Sequence, residues 1–136
     1  MKRLLKLTAF IEAATGLGLI GVPSTVVRLL LGSALVGAGI PLGRLAGVAL
    51  LTLGIACWLG SFDTQSCAAR GIVSAMTLYN IGAVLVLGAA GLQSQAVGIG
   101  LWPAVILHAG MTVWCVGRLL RERAFAGAPK SQVLTR

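Results

Sequence analysis

The stretch PLGRLAGVALLTLGIACWLGSF, residues 41–62, decides the fold class, because it is long, apolar and carries Arg44 as its single charge. A transmembrane helix needs about 20 predominantly apolar residues to cross the hydrocarbon layer. Three further runs share this character, at residues 4–22, 71–92 and 99–120. The sequence therefore predicts an all-α protein, a four-helix transmembrane bundle.

The composition of the whole chain agrees with a membrane protein. Hydrophobic residues make up 57% of the 136 residues and charged residues only 10%, and the mean hydropathy is +0.97. A soluble domain needs about a quarter of its residues charged. The length suits one domain, so we assign residues 1–123 to a single transmembrane domain and residues 124–136 to a polar, mobile tail.

A short segment between the first two spans has a different character. PSTVVRLLL, residues 23–31, is too short to cross a membrane and is predicted to be a helix lying at the interface. Pro23 suits the first turn of a helix, and Ser24 or Thr25 is expected to satisfy its free amides. The following linker is expected to turn helical from about Leu35.

The net charge of +8 lies mostly at the two ends of the chain. Basic residues flanking spans indicate the cytoplasmic side and attract anionic lipids, so we expect both termini to be cytoplasmic. The uncharged loop at 93–98 fits the outer side. We expect a multi-pass protein of a bacterial inner membrane that contacts lipids and binds no nucleic acid. The flanking basic residues are Lys2, Arg3, Lys6, Arg118, Arg121, Arg123, Lys130 and Arg136.

Each span contains a polar side chain that is unfavourable in lipid. These are Glu12, Arg44, Asn80 and His108, with Tyr79 beside Asn80. Because a charge at the bilayer centre costs about 2.5–3.5 kcal/mol, the side chains are expected to turn inward as a polar cluster able to bind a ligand. We expect His108 to hydrogen-bond at least one of the others, with Glu12 as the favoured partner that shares a proton with the imidazole.

A purely structural role for this cluster is the alternative. In it, Glu12 and Arg44 neutralise each other, while Asn80 and His108 hydrogen-bond neighbouring helices. We assign no catalytic residue, no metal site and no cofactor, since the three cysteines lack ligand spacing. A haem on His108 would need a second ligand from a partner, and a quinone would likewise be shared with one.

Glycines of the second span form a further pattern. Gly43 and Gly47 have the spacing of a helix-contact motif, and Gly54 follows one heptad later. The sequence predicts that this face binds another membrane subunit or a second copy of the chain.

Five stretches carry a family resemblance: FIEAATGLGLI, PSTVVRLLLG, LGRLAGVALLTLGIACW, LYNIGAVLVL and LWPAVILHA. Together they resemble a group of small bacterial four-span proteins whose layout is similar to the DoxX-like superfamily. The resemblance covers roughly residues 8–118. It implies a small accessory subunit beside a quinone-linked oxidoreductase.

The residues and the resemblance lead to one functional hypothesis and two alternatives. The first is a non-catalytic accessory subunit of a larger membrane complex, binding lipid or quinone between its helices. The second is a small proton-linked transporter that uses Glu12, Arg44 and His108. The third is an enzyme acting on a lipophilic substrate, although the chain lacks phosphate-loop, catalytic-elbow and metalloprotease motifs.

Overall fold

The computed structural model describes residues 1–94 and 97–126, and the secondary structure of these residues is helical with no strand. The four long helices are each long and apolar enough to cross a membrane. The predicted all-α, four-span bundle with a short helix between its first two spans is confirmed. The helices within the described ranges are α1 (Lys2–Gly21), α2 (Pro23–Leu31), α3 (Gly39–Gly60), α4 (Cys67–Gln93) and α5 (Leu101–Ala126).

Two helix boundaries, the start of α4 and the end of α5, differ from the expected ones. α4 begins at Cys67 rather than at Gly71, because the Ser66 hydroxyl accepts a hydrogen bond from the Ala69 backbone amide at 3.1 Å. Serine is a strong N-cap, so it starts the helix before the apolar run at residues 71–92. α5 takes in residues 124–126 of the predicted tail, and residues 127–136 of that tail lie outside the described residues.

The segment around α2 is held by glycine geometry and one side chain. α2 ends at Leu31, and Gly32, which follows it, has a left-handed φ of 77°. Gly37 also has a positive φ, of 52°. The left-handed backbone at Gly37 interrupts the helix predicted from about Leu35, so α3 begins at Gly39. Ser24 does not cap α2; its hydroxyl donates to the Leu35 carbonyl at 3.0 Å and fixes the linker to α2.

α1 and α3 form a closely packed pair. A Cβ built on Gly16 would lie 2.7 Å from the Gly47 carbonyl oxygen, and a Cβ on Gly47 would lie 2.7 Å from the Gly16 carbonyl oxygen. Further along, a Cβ on Gly54 would lie 3.0 Å from Ala13 N and from Ala9 O. Small residues on both helices therefore let the backbones touch.

This pairing corrects the expected use of the glycine face. We expected Gly43, Gly47 and Gly54 to bind another subunit or a second copy, but α1 covers Gly47 and Gly54 within the same chain. Gly43 lies against the linker, where a Cβ would come 2.7 Å from Leu35 Cδ1 and 3.1 Å from Pro23 Cβ. The physical reason is that the small residues of α3 meet a matching set on α1.

One hydrophobic cluster joins the α1/α3 pair to the α4/α5 pair. It combines the start of α1, the end of α3, the start of α4 and the later part of α5, so these four helix ends lie at the same end of the bundle. The first residue of α1 and the last turns of α5 are therefore on one side, as four spans require. The buried members are Met1, Leu4, Leu5, Ala9, Cys57, Ala69, Val73, Met76 and Cys115.

Candidate ligand cavity between the helix pairs

The two helix pairs separate beyond this cluster and leave a partly open cavity of about 850 Å³ between them. Ligand pockets in proteins have volumes of about 300–1,000 Å³, so this space is large enough for a bulky small molecule. Four polar residues, Glu12, Thr15, Tyr79 and His108, share its lining with apolar side chains. The larger apolar residues that the four long helices contribute to the wall are Ile11, Leu19, Leu50, Val86, Leu87 and Leu107.

The cavity stays open because small residues line much of its wall. Large side chains such as Leu4 and Met76 fill the cluster below it. In the cavity, a Cβ built on Gly82 would meet no atom within 4 Å. No side chain from these positions reaches across the gap. The small lining residues are Ala14, Gly18, Gly82, Ala83, Gly100 and Ala104.

Glu12 and Tyr79 form one part of the polar floor. Glu12 lies in the middle of α1 and is only 3% exposed. The Tyr79 hydroxyl of α4 is the polar group that lies next to its carboxyl group. A buried carboxyl without a partner is strongly unfavourable, so the nearby hydroxyl helps to accommodate Glu12.

His108 of α5 forms the other part of the floor, where a fixed chain of hydrogen bonds orients it. Its Nδ1 lies 2.7 Å from Oδ1 of the buried Asn80. The Asn80 amide nitrogen donates in turn to the Met76 carbonyl at 2.7 Å. Since the amide nitrogen is used there, Oδ1 accepts, and Nδ1 of His108 must carry the proton.

Tyr79 connects the two parts of the floor. Its ring meets the His108 ring edge to face, with centroids 5.6 Å apart and an interplanar angle of 81°. Its hydroxyl reaches Glu12, so one aromatic side chain contacts both ionisable groups. Aromatic pairs favour this edge-to-face geometry, which helps to hold both rings in position.

The expected hydrogen bond of His108 is therefore confirmed, but the favoured partner is not. Asn80, rather than Glu12, bonds the imidazole. The reason is the pairing of helices: Asn80 lies on α4, which packs beside α5, whereas Glu12 lies on α1 across the cavity. The two ionisable groups share a cavity through Tyr79 instead of sharing a proton.

Arg44 does not join the polar cluster. Its side chain is exposed on the first turns of α3, and it is not part of the cavity lining. The described residues contain no ion pair between Arg44 and Glu12, so the expected neutralisation of Glu12 is absent there. A long side chain near a helix end can extend toward the interface, which explains why Arg44 leaves the bundle interior.

α2 lies over the cavity instead of facing only lipid. Val26, Leu29 and Leu30 contribute to the cavity lining. The α4–α5 loop holds this helix through two backbone hydrogen bonds, from Gly98 N to Leu30 O at 3.1 Å and from Gly100 N to Leu29 O at 2.8 Å. A side chain at Gly98 would collide with the Leu29 carbonyl. The predicted interfacial helix is thus also a cover for the cavity.

The sequence predicted polar residues of the cavity floor but not the small residues of its wall. Small residues follow the polar ones along the same helices: Gly82 and Ala83 come after Asn80, and Ala104 precedes His108 by about one turn. Residues that small beside an intramembrane polar group leave space around it. This adjacency is the signal that could have predicted a cavity.

None of the three cysteines belongs to the cavity lining, and Cys57 and Cys115 are members of the hydrophobic cluster. Cys57 and Cys115 are buried, Cys67 is exposed, and all three are free thiols. Within residues 1–94 and 97–126 no group of three or more His, Cys, Asp or Glu side chains is close enough to hold a metal ion.

Comparison with known proteins found no matching family model, no matching curated protein and no matching solved structure.

Proposed function

We propose that this chain is an accessory membrane subunit that holds a lipophilic ligand, of the lipid or quinone class, in the cavity between its helix pairs. One observation carries the proposal. The cavity combines apolar walls with a polar floor made by Glu12, Tyr79 and His108. Binding sites for small molecules are typically apolar with a few placed polar groups.

The polar floor argues against a cavity that merely accommodates lipid tails. An acyl chain needs no polar partner, whereas intramembrane ionisable groups are unfavourable and mark functional sites. Here the Asn80 amide orients His108, and the Tyr79 hydroxyl lies next to Glu12, beside an open volume. Groups held in this way suit the polar head of an amphiphile whose tail lies along the apolar wall.

The accessory role and the location rest on the sequence. The DoxX-like layout favours a subunit beside a larger oxidoreductase complex in a bacterial inner membrane. Basic residues at both chain ends favour cytoplasmic termini. In this orientation the cavity lies in the outer half of the membrane, because it is on the opposite side of the bundle from the cluster that contains Met1.

A proton-linked carrier has weaker support. That hypothesis used Glu12, Arg44 and His108 together, and Arg44 lies outside the cavity. His108 is bonded to Asn80, and Glu12 lies beside Tyr79. Binding of a ligand without transport therefore accounts for the arrangement with fewer assumptions.

A pair of matched glycine variants tests the ligand site. Gly82→Phe places a ring in the cavity, whereas Gly88→Phe adds the same ring elsewhere on α4, and neither Cβ meets an atom within 4 Å. Protein purified in mild detergent is extracted with organic solvent, and bound lipophilic molecules are identified by mass spectrometry. We expect the parent and Gly88→Phe to carry one amphiphile that Gly82→Phe lacks. Equal contents in all three would refute the cavity as the site.

The accessory role has a separate test. Gentle extraction followed by identification of co-purifying chains should recover a larger membrane complex. Glu12→Gln and His108→Gln should leave that assembly intact, because both residues line the cavity. A chain that purifies alone after cross-linking in the native membrane would contradict the accessory role.

A further inference from the structure

The hydrogen-bond pattern of the cavity floor restricts the chemistry of the ligand. The proton on His108 Nδ1 is used by Asn80 Oδ1. This donor is thus occupied inside the protein. What His108 offers toward the cavity is acceptor capacity.

The second nitrogen of His108, Nε2, is this hydrogen-bond acceptor. Because Nδ1 carries the proton, Nε2 of the neutral imidazole presents a lone pair. We treat the ring as neutral, since no carboxylate in the described part of the chain forms an ion pair with it. The His108 side chain is half-buried and belongs to the cavity lining, and the hydrogen bond of its ring to Asn80 uses Nδ1.

We infer that the cavity selects amphiphiles with a hydroxyl head, an alcohol or a phenol, which donates its hydrogen bond to His108 Nε2. This inference rests on the proposed function and deepens it. A ketone, quinone or ether head offers only acceptors, and it would leave the Nε2 lone pair buried without a partner. An unpaired buried polar group is unfavourable, so these heads bind more weakly than the hydroxyl head.

Thr15 is another polar residue of the lining, and it does not determine the preference for a hydroxyl head. It lies almost one turn after Glu12 on α1, and its hydroxyl can rotate to act as donor or acceptor. The variant Thr15→Val removes it while keeping the shape of the side chain. The preference for a hydroxyl head should survive this change, because it originates at His108.

The chain offers an unusually direct measurement of this contact. His108 is the only histidine and Tyr79 the only tyrosine. Isotope labelling of either residue type therefore gives side-chain NMR signals from one residue alone. The purified protein is titrated with para-dodecylphenol, with its methyl ether and with dodecanol. The first two compounds differ only in the replacement of the donor proton by a methyl group, and the third separates a phenol from an aliphatic alcohol.

We expect the free protein to show the tautomer with the proton on Nδ1. The phenol should shift the Nε2 resonance and bind about tenfold more tightly than the ether, the effect of one unpaired buried acceptor. Asn80→Leu should abolish the tautomer preference, and Gly82→Phe should abolish binding. A phenol that binds while dodecanol does not would narrow the class to phenols, within the same inference.

Two results would overturn the inference, and they differ in what else they refute. If phenol and ether shift the Tyr79 signal equally, and neither moves Nε2, the cavity binds amphiphiles without selecting a donor, and the proposed function stands. If no amphiphile shifts either signal in the parent protein, the proposed function fails as well.

Discussion

Replacing Gly47 by alanine tests the backbone contact between α1 and α3. The new Cβ would lie 2.7 Å from the Gly16 carbonyl oxygen and 2.9 Å from Ile20 N. Both are backbone atoms, so a side-chain rotation cannot relieve the clash and the helices must move apart. Overpacking of this kind lowers the free energy of unfolding by about 1–3 kcal/mol.

The matched control is Gly110→Ala on α5, where a Cβ would meet no atom within 4 Å. Alanine is preferred over glycine inside helices by about 0.5–1 kcal/mol. The same chemical change should therefore raise the stability at Gly110 and lower it at Gly47. The opposite signs separate steric contact from any general effect of adding a methyl group.

Thermal unfolding of both variants is followed by circular dichroism in one mild detergent, alongside the parent protein. We expect Gly47→Ala to unfold at a clearly lower temperature and Gly110→Ala at the same or a higher one. If Gly47→Ala unfolds at or above the parental temperature, the two helices do not touch at Gly16 and Gly47, and our description of the pair is wrong.

Three further predictions address orientation, a buried hydroxyl and the cavity cover. An impermeant thiol reagent applied from outside the cell should label Ser94→Cys and miss both Ser131→Cys and native Cys67, and the reverse pattern would invert the topology. Thr8→Val should raise the unfolding free energy by up to about 1 kcal/mol, because the Thr8 hydroxyl is buried without a partner among the described residues; a clear loss of stability would show that the hydroxyl is paired. Gly98→Ala should speed hydrogen exchange at the Gly100 amide, which bonds Leu29 O, since the added methyl collides with that carbonyl; unchanged exchange would mean that α2 is not held by this loop.

The number of spans and the short helix could be predicted from the sequence because they depend on local properties. Apolar length determines whether a helix can cross a membrane, and Pro23 marks the start of α2. The start of α4 was missed because a single hydroxyl, that of Ser66, extends the helix into a polar stretch. A side-chain cap of this kind outweighs the polarity that suggested a loop.

The partners of the polar residues could not be predicted from the sequence, because they depend on which helices are neighbours. The position of a polar residue within its span does not show which helix that residue faces. α4 pairs with α5, and this brings Asn80 to His108. Arg44 shows the same limit, since its depth near the end of α3 was compatible with either an inward or an outward direction.

The distribution of side-chain size along the bundle connects its stability with its proposed use. Large residues such as Leu4, Leu5 and Met76 fill one end completely, whereas small residues such as Gly82 and Ala104 line the other end and leave a cavity beside buried polar groups. Larger apolar residues at those positions would fill the space and add dispersion contacts. The small residues of this wall lack those contacts and are therefore less stabilising. Binding sites are often less stable than a fully packed core for this reason. It follows that the two ends should respond differently to substitution: Met76→Ala should destabilise the fold by about 2–5 kcal/mol, whereas Gly82→Phe should remove the ligand and leave the bundle folded.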